Sequence, residues 1–179
     1  NNPQGDVFFT SPLLKIHLPP FVSPALRKIA DYQRKHRPRG YVIGGTNWDI
    51  NSKQKQYKGN FLTFDKKRFS VQKKWFAANP ELQVGDVTWQ WLNNAFTTTD
   101  TLRNDPEYAN NSIPFLIAAA GDDRLVETSA AKSFSKKMKD CEYICLEQSR
   151  HEIVMESDSI RDRFLYKMDT FLGQSALKL

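Results

Sequence analysis

Two runs rich in apolar residues are the clearest strand patterns in this chain, the first continuous and the second interrupted by Glu142. Residues 114–120 (PFLIAAA) and residues 141–147 (CEYICLE) each lead directly into a polar loop. Short apolar runs that are bounded by turn residues are typical of strands buried inside a sheet. A third, shorter run at residues 7–9 ends at Ser11 and Pro12. These patterns predict three strands of one sheet.

Apolar residues at helical spacing predict helices that pack on this sheet. Ala130, Phe134 and Met138 recur at every fourth position, which predicts an amphipathic helix over residues 127–139. The same spacing predicts a last helix over residues 157–173, which we expect to stop at its final glycine. An alternating order of strands and helices predicts an α/β fold with a parallel sheet.

Residues 15–98 differ in character from the segments on either side. They contain several prolines and no convincing apolar strand, and helical patterns occur over residues 24–34 and 65–78. An aromatic-rich segment follows at residues 87–96. An insertion of this size between sheet strands predicts a largely helical cap. The chain is therefore divided into a core strand (1–14), a cap (15–98) and a C-terminal core (99–179).

Side chains capable of acid–base chemistry follow the two longer strands. Asp122 and Asp123 come after the first of them, and His151 follows the second. Because the carboxyl ends of parallel strands share one edge of a sheet, we expect an aspartate and the histidine to meet there. Such a contact orients the imidazole and stabilises its protonated form in Ser-His-Asp hydrolases. No G-x-S-x-G nucleophile sequence occurs in the chain.

The wording around these residues resembles a known superfamily. AAAGDDRLVETSAA followed by SRHEIVMESDSIRDRF resembles the C-terminal part of α/β-hydrolases, in the serine-hydrolase branch that contains monoacylglycerol lipases and lysophospholipases. Residues 73–96 (KKWFAANPELQVGDVTWQWLNNAF) are similar to the cap of bacterial lysophospholipases. The resemblance implies a carboxylic-ester hydrolase that acts on a single-chain lipid, most specifically a lysophospholipid.

The resemblance also implies that the serine nucleophile and the oxyanion hole lie before residue 1. The N-terminal segment of the same protein would then be a partner of this chain, which we expect to be inactive and unstable alone. Monoacylglycerol lipases, general esterases and peptidases of this fold use the same acid and histidine. A non-catalytic lipid-binding or interaction protein is the alternative from a different class.

Asp123 and His151 are the candidate catalytic residues. In GDDRLV the aspartate directly before Arg-Leu matches the family position, and adjacent side chains cannot both face the histidine, so Asp123 is favoured over Asp122. His17 and His36 are expected on the surface of the cap, since His151 alone follows a strand. Glu152 is expected to support the histidine loop.

The candidate substrate contacts are Leu125, Val126, Trp89, Trp91 and Phe96. Arg124 could line the pocket wall beside Leu125 and Val126, and packing at the entry of the following helix is the equally open alternative for these three residues. The three aromatic residues belong to a larger group in the cap, for which ordinary cap core is the alternative explanation and the more common one. This group consists of Phe69, Trp75, Phe76, Trp89, Trp91 and Phe96.

Charge is distributed unevenly along the chain. Residues 21–95 carry 14 Lys and Arg against 5 Asp and Glu, whereas the remainder carries 12 against 15, within a net charge of +6. A basic cap favours an anionic membrane surface or substrate, and a solvated surface is the alternative. No RNP, KH or helix-turn-helix signature accompanies the charge, so we expect no nucleic-acid partner.

Other classes of site are disfavoured. Cys141 and Cys145 would lie about 13 Å apart on one strand, too far for a disulfide, and are expected to be buried thiols in a reducing compartment. No metal-ligand spacing or phosphate-binding glycine loop occurs, so we expect no metal and no cofactor. Without an apolar run of about 20 residues or a signal peptide, the expected location is cytoplasmic or peripheral at the inner membrane.

Overall fold

The computed structural model of the protein describes residues 5–49, 51 and 56–176. Parts of the predicted core strand, cap and C-terminal core lie outside the described residues, namely residues 1–4, 50, 52–55 and 177–179. The sheet has three parallel strands in the spatial order β1-β2-β3. They are β1 (Val7–Thr10), β2 (Phe115–Ala120) and β3 (Cys141–Leu146). The predicted strands and their parallel arrangement are confirmed.

Five α-helices occur within the described residues. They are α1 (Ser23–His36), α2 (Lys66–Ala78), α3 (Trp89–Asn104), α4 (Thr128–Ser135) and α5 (Asp158–Ala176). Short 3-10 turns cover Tyr57–Gly59, Pro80–Leu82, Pro106–Asn110 and Ile153–Met155. The side chains of Asp65 and Thr88 cap α2 and α3 by accepting backbone N–H groups of their first turns.

β2 is buried on both faces because its side chains alternate between two apolar clusters. Ile117 and Ala119 pack with residues of α4, whereas Ala118 and Ala120 pack with Phe164 of α5. The sheet therefore forms a layer between α4 and α5. This arrangement explains the continuous apolar run, since a parallel strand that is covered on both faces has no solvent-facing positions.

In residues 15–98, for which we keep the name cap, α1 and α3 build a buried apolar cluster. Ala30, Trp89 and Phe96 are each at most 5% exposed and form one buried cluster. The Arg27 guanidinium lies 4.3 Å from the centre of the Phe96 ring and forms an ion pair with Asp100. Because α3 continues to its end without interruption, the expected boundary between residues 98 and 99 falls inside this helix.

Two predicted helix ends are wrong. α4 ends at Ser135, because the chain turns there and carries Met138 into a buried position before β3 begins. α5 continues through Gly173 instead of stopping at it. Glycine in a helix interior costs only about 1 kcal/mol relative to alanine, so a glycine does not by itself end a helix.

The two cysteines are free, as expected, but partly exposed instead of buried. Burial of its sulfur and the neighbouring Glu142 raise the pKa of the Cys141 thiol to about 11. Among the described residues, no helix combines the length and the apolar character that a membrane crossing requires.

Candidate active site

The structure brings Asp123 and His151 into direct contact. The Nδ1 atom of His151 lies 2.9 Å from Oδ2 of Asp123, while Oδ1 accepts the backbone N–H groups of Leu125 (2.8 Å) and Val126 (3.0 Å). The Asp123 side chain is 1% exposed and that of His151 is 25% exposed. Nε2 of His151 hydrogen-bonds to none of the described residues, so this nitrogen can exchange a proton with a substrate group.

Close backbone contact between two strand ends produces this geometry. The N–H of Gly121 donates to the carbonyl of Leu146 (2.9 Å), and the N–H of Asp122 donates to the carbonyl of Ser149 (2.9 Å). Ser149 is fully buried, and its hydroxyl donates to the same Leu146 carbonyl. The loop that carries the acid is thereby fastened to the loop that carries the histidine.

The two groups shift each other's pKa in opposite directions. Burial favours the neutral form of Asp123, but hydrogen bonds from His151, Leu125 and Val126 outweigh burial and lower the pKa of the carboxyl group. Burial alone would lower the pKa of His151, but the hydrogen bond and charge of Asp123, together with the charge of Glu152, raise it overall. The pair is therefore arranged to stabilise an imidazolium next to a carboxylate.

The other polar residues considered from the sequence lie at the surface. The neighbouring Asp122 and Arg124 are exposed, and so are His17 and His36. Val126 is 5% exposed and pairs with Ile16 through an isolated antiparallel bridge. No group of three or more metal-ligating side chains occurs within the part of the chain that is described.

An apolar cavity of about 460 Å³ adjoins the pair. It touches the site through Leu125, whose N–H binds Asp123, and through Glu152, which follows His151. Its apolar lining consists of Trp48, Phe61, Leu62, Phe69, Phe76, Leu82, Val84 and Leu125, and its polar lining consists of Gln72, Lys73 and Glu152. Cavities of this size and character accommodate small organic ligands.

The structure separates the aromatic residues that the sequence groups together. Trp89 and Phe96 lie inside the core of the cap, and Trp91 is 49% exposed; none of the three lines the cavity. Phe69 and Phe76 do line it, from one side of α2. Helical spacing shows which residues share a face, but it does not identify the neighbour that covers that face.

Phe61 and Leu62 of the cavity wall were not predicted from the sequence. They lie in a segment without regular spacing, which is shaped by the buried Asn60. The Oδ1 atom of Asn60 accepts the N–H groups of Leu62 (2.9 Å) and Thr63 (3.0 Å), an arrangement that asparagine side chains form readily in turns. The Gly59-Asn60 pair is the only local signal for this turn.

Known proteins resemble this chain over most of its length. A family model described as "Serine aminopeptidase, S33" matches residues 2–158. The chain belongs to the serine aminopeptidase S33 family. Lysophospholipase L2 of Escherichia coli (strain K12) is 22% identical over 180 residues, which cover 94% of this chain and 50% of that protein. This S33 chain thus spans about half the length of the curated relatives that it matches.

Solved structures show the same fold. A soluble variant of monoglyceride lipase from Saccharomyces cerevisiae, in complex with a substrate analogue, superimposes with a TM-score of 0.66 at 17% identity, over 93% of this chain and 55% of that one. Paleococcus ferrophilus monoacylglycerol lipase gives 0.65 at 13% identity, over 94% and 58%. The S33 chain is therefore part of an α/β-hydrolase fold, as the sequence predicts.

Proposed function

We propose that the polypeptide carrying this chain is a serine ester hydrolase that cleaves lysophospholipids. The observation that carries this proposal is the position of the Asp123–His151 pair beside an apolar cavity, with Leu125 shared between the two. Lysophospholipase L2, which is the name of a curated relative, supports the substrate class.

In the proposed mechanism a serine hydroxyl attacks the ester carbonyl and passes its proton to Nε2 of His151. The resulting imidazolium, stabilised by Asp123, then protonates the glycerol oxygen as the carbon–oxygen bond breaks. Water, deprotonated by the same nitrogen, attacks the acyl-serine and releases the fatty acid. Catalysis thus requires His151 to gain and lose one proton in each half-reaction.

The serine and the oxyanion-hole donors are proposed to lie on a segment before residue 1. Two observations support this placement. The curated relatives are about twice as long as the matched chain. In addition, the outer strand β1 exposes Phe8 (44%) and Phe9 (42%), which the rest of an α/β-hydrolase sheet would cover.

A single-chain lipid fits the cavity better than a peptide does. Apolar side chains dominate its wall, and an extended peptide would leave amide groups there without hydrogen-bond partners. Lys73, at the cavity, favours a substrate with a phosphate over the uncharged monoacylglycerol. Monoacylglycerol hydrolysis is therefore the second candidate, supported by the fold neighbours.

The deciding test uses the natural polypeptide that contains this chain and a fluorophosphonate probe. The proposal expects one covalent adduct by intact mass, lost in His151→Ala and retained in His17→Ala. Hydrolysis of lysophosphatidylcholine, monoacylglycerol and an aminoacyl amide is then compared. No adduct would overturn the serine mechanism, and faster cleavage of monoacylglycerol or the amide would overturn the substrate assignment.

We further propose that α2 docks on an anionic membrane surface. Val71 (50%) and Trp75 (61%) are exposed. Lys67, Val71, Lys74 and Trp75 occupy positions i, i+4, i+7 and i+8, so they lie on the same side of the helix. Exposed tryptophan and lysine on one helix face favour the interface of an acidic bilayer.

Vesicle sedimentation tests this partner. The natural polypeptide should bind vesicles containing phosphatidylglycerol more tightly than pure phosphatidylcholine vesicles, and high salt should weaken binding. Trp75→Ala and Lys74→Glu should each weaken it several-fold. Tyr166→Ala is the matched control, because Tyr166 is also exposed (76%) but lies on α5. Equal loss in the control, or no preference for acidic vesicles, would contradict the proposal.

A further inference from the structure

A buried carboxylate joins the cap to the loop that carries His151. Glu156 is 1% exposed, and its Oε1 accepts the backbone N–H of Arg150 at 2.7 Å. Both of its oxygens also lie within hydrogen-bond distance of the backbone N–H of Phe64, at 3.1 and 3.0 Å. We call residues 60–64 the cap strap and residues 149–156 the histidine loop.

Arg150 completes this connection from the opposite direction. Its Nη1 donates to the carbonyl of Asn60 at 2.9 Å, and its guanidinium lies 4.1 Å from the centre of the Phe64 ring. Thus the residue directly before His151 uses its backbone to bind Glu156 and its side chain to bind the cap strap. A guanidinium over an aromatic face adds a cation–π contact to the hydrogen bond.

Two further hydrogen bonds connect the same two segments. The hydroxyl of Thr63, which is fully buried, donates to the carbonyl of Met155 at 2.8 Å. The N–H of Glu152 donates to the carbonyl of Leu62 at 2.8 Å. Residues on both sides of His151 are therefore bound to the cap strap, which also contributes Leu62 to the wall of the cavity.

We propose that Glu156 is a positioning residue that holds His151 and the wall of the acyl cavity as one unit. All the hydrogen bonds described for its carboxylate come from backbone N–H groups of the two segments. A carboxylate buried without its water is costly, so this arrangement is stable only while both segments supply their donors. Loss of either segment's donor would release the other.

The catalytic consequence rests on the proposed function, whereas the mechanical coupling does not. If the histidine loop moves, Nδ1 of His151 leaves Asp123, and a displacement of about 1 Å in a catalytic group can cost about 100-fold in rate. The cavity wall at Leu62 would move in the same event. Substitution of Glu156 should therefore lower kcat for short esters and also raise KM for long-chain esters.

Glu156→Gln is the sharpest variant because it keeps the shape of the side chain. Its amide oxygen can still accept from Arg150, but its NH2 group would face the N–H of Phe64 in place of Oε2. Glu107→Gln, at an exposed glutamate in a distant 3-10 turn, is the matched control. Glu156→Ala is the more severe variant, because it removes both acceptor oxygens. If Glu156→Ala fails to fold, the test is made with Glu156→Gln alone.

The experiment combines hydrogen exchange with NMR titration of the histidines in the natural polypeptide. Glu156→Gln should speed exchange several-fold in both the cap strap and the histidine loop. It should also lower the pKa of His151 toward its ordinary value, since Asp123 and Glu152 are the charged groups that raise it. The exposed His17 and His36 provide internal references.

Faster exchange in only one of the two segments would overturn the coupling. An unchanged pKa of His151 would overturn the positioning role even if the protein were destabilised. Neither readout needs turnover, so an absence of esterase activity in the parent protein would defeat the proposed function and leave this inference standing.

Discussion

Gly121 and Glu147 approach so closely that no side chain fits between their backbones. A Cβ atom on Gly121 would lie 2.9 Å from Cα of Glu147 and 2.8 Å from its Oε2. The first of these contacts is with backbone, which cannot rotate away as a flexible side chain can. This close approach holds the end of β2 against the end of β3, and it thereby sets Asp123 beside His151.

Gly121→Ala should destabilise the protein by about 1–3 kcal/mol, because the added methyl must push two strand ends apart. Urea denaturation of the natural polypeptide measures this change. Gly173→Ala is the matched control: nothing lies within 4 Å of its added Cβ, and its helical position favours alanine by about 0.5–1 kcal/mol. Equal stability of the two variants would contradict the steric argument.

Asp123→Asn should reduce kcat by about 10⁴-fold, because an amide NH2 facing Nδ1 favours the wrong imidazole tautomer. Asp122→Asn should keep kcat within a few-fold of the parent value, since that neighbouring side chain is exposed. Ester hydrolysis by the natural polypeptide measures both. Similar losses in the two variants would mean that the loop, and not the carboxylate at position 123, matters for the reaction.

The contribution of the pair to folding stability should depend on pH in a defined direction. The pKa of His151 is raised above 6.5, so its contribution is present below that pH and is lost as pH rises through the folded value. The pKa of Asp123 is lowered below 3.8, so its contribution is present above that pH and is lost as pH falls through the folded value. Both contributions coexist between about pH 4 and pH 6.5.

The free energy of unfolding should therefore fall between pH 6 and pH 9 more steeply in the parent protein than in His151→Gln. Denaturation curves at several pH values provide the measurement. His17→Gln serves as the comparison for loss of an exposed imidazole. Parallel pH curves for the parent and His151→Gln would show that the contact with Asp123 does not persist in solution.

Phe76→Ala should change the preference for acyl-chain length. Phe76 lines the cavity and packs edge-on against Trp48, with ring centres 5.0 Å apart. Its removal should lower kcat/KM for a long-chain ester by about 10- to 100-fold, as expected when about 1.5–3 kcal/mol of apolar contact is lost. Butyrate esters should be affected little. Trp91 lies outside the cavity, so Trp91→Ala should leave kcat/KM unchanged for both long-chain and butyrate esters. An equal effect of Trp91→Ala and Phe76→Ala would mean that the acyl chain binds elsewhere.

Much of the fold could be predicted from local patterns. The apolar run of β2 reflects burial on both faces, and the polar residues after β2 and β3 had to meet because parallel strands end at the same edge. Asp123 and His151 were therefore identified although 28 positions separate them. The alternating order of strands and helices predicts that β2 and β3 run parallel, and their parallel direction predicts that the residues after them meet.

The cavity wall and Glu156 could not be predicted in this way. Glu156 lies in an acidic stretch that has the composition of a solvated surface, and only tertiary contact with the cap strap buries it. Likewise, Trp89 and Phe76 share aromatic character and helical spacing, yet one fills the cap and the other lines the cavity. No local pattern distinguishes them, because the difference depends on segments that are distant in sequence.

The hydrogen bonds between the cap strap and the histidine loop also bear on the order in which the protein folds. Phe64 and Glu156 are 92 positions apart, and so are Thr63 and Met155. Closing a loop of this length carries a large entropic cost that must be met before the contacts can form, and such contacts tend to form late. β2 pairs with β3 across only 26 positions, whereas β1 pairs with β2 across 108. We therefore expect β2, β3 and the helices α4 and α5 to assemble first, and a chain that is released early to have these two strands paired but no correctly held imidazole.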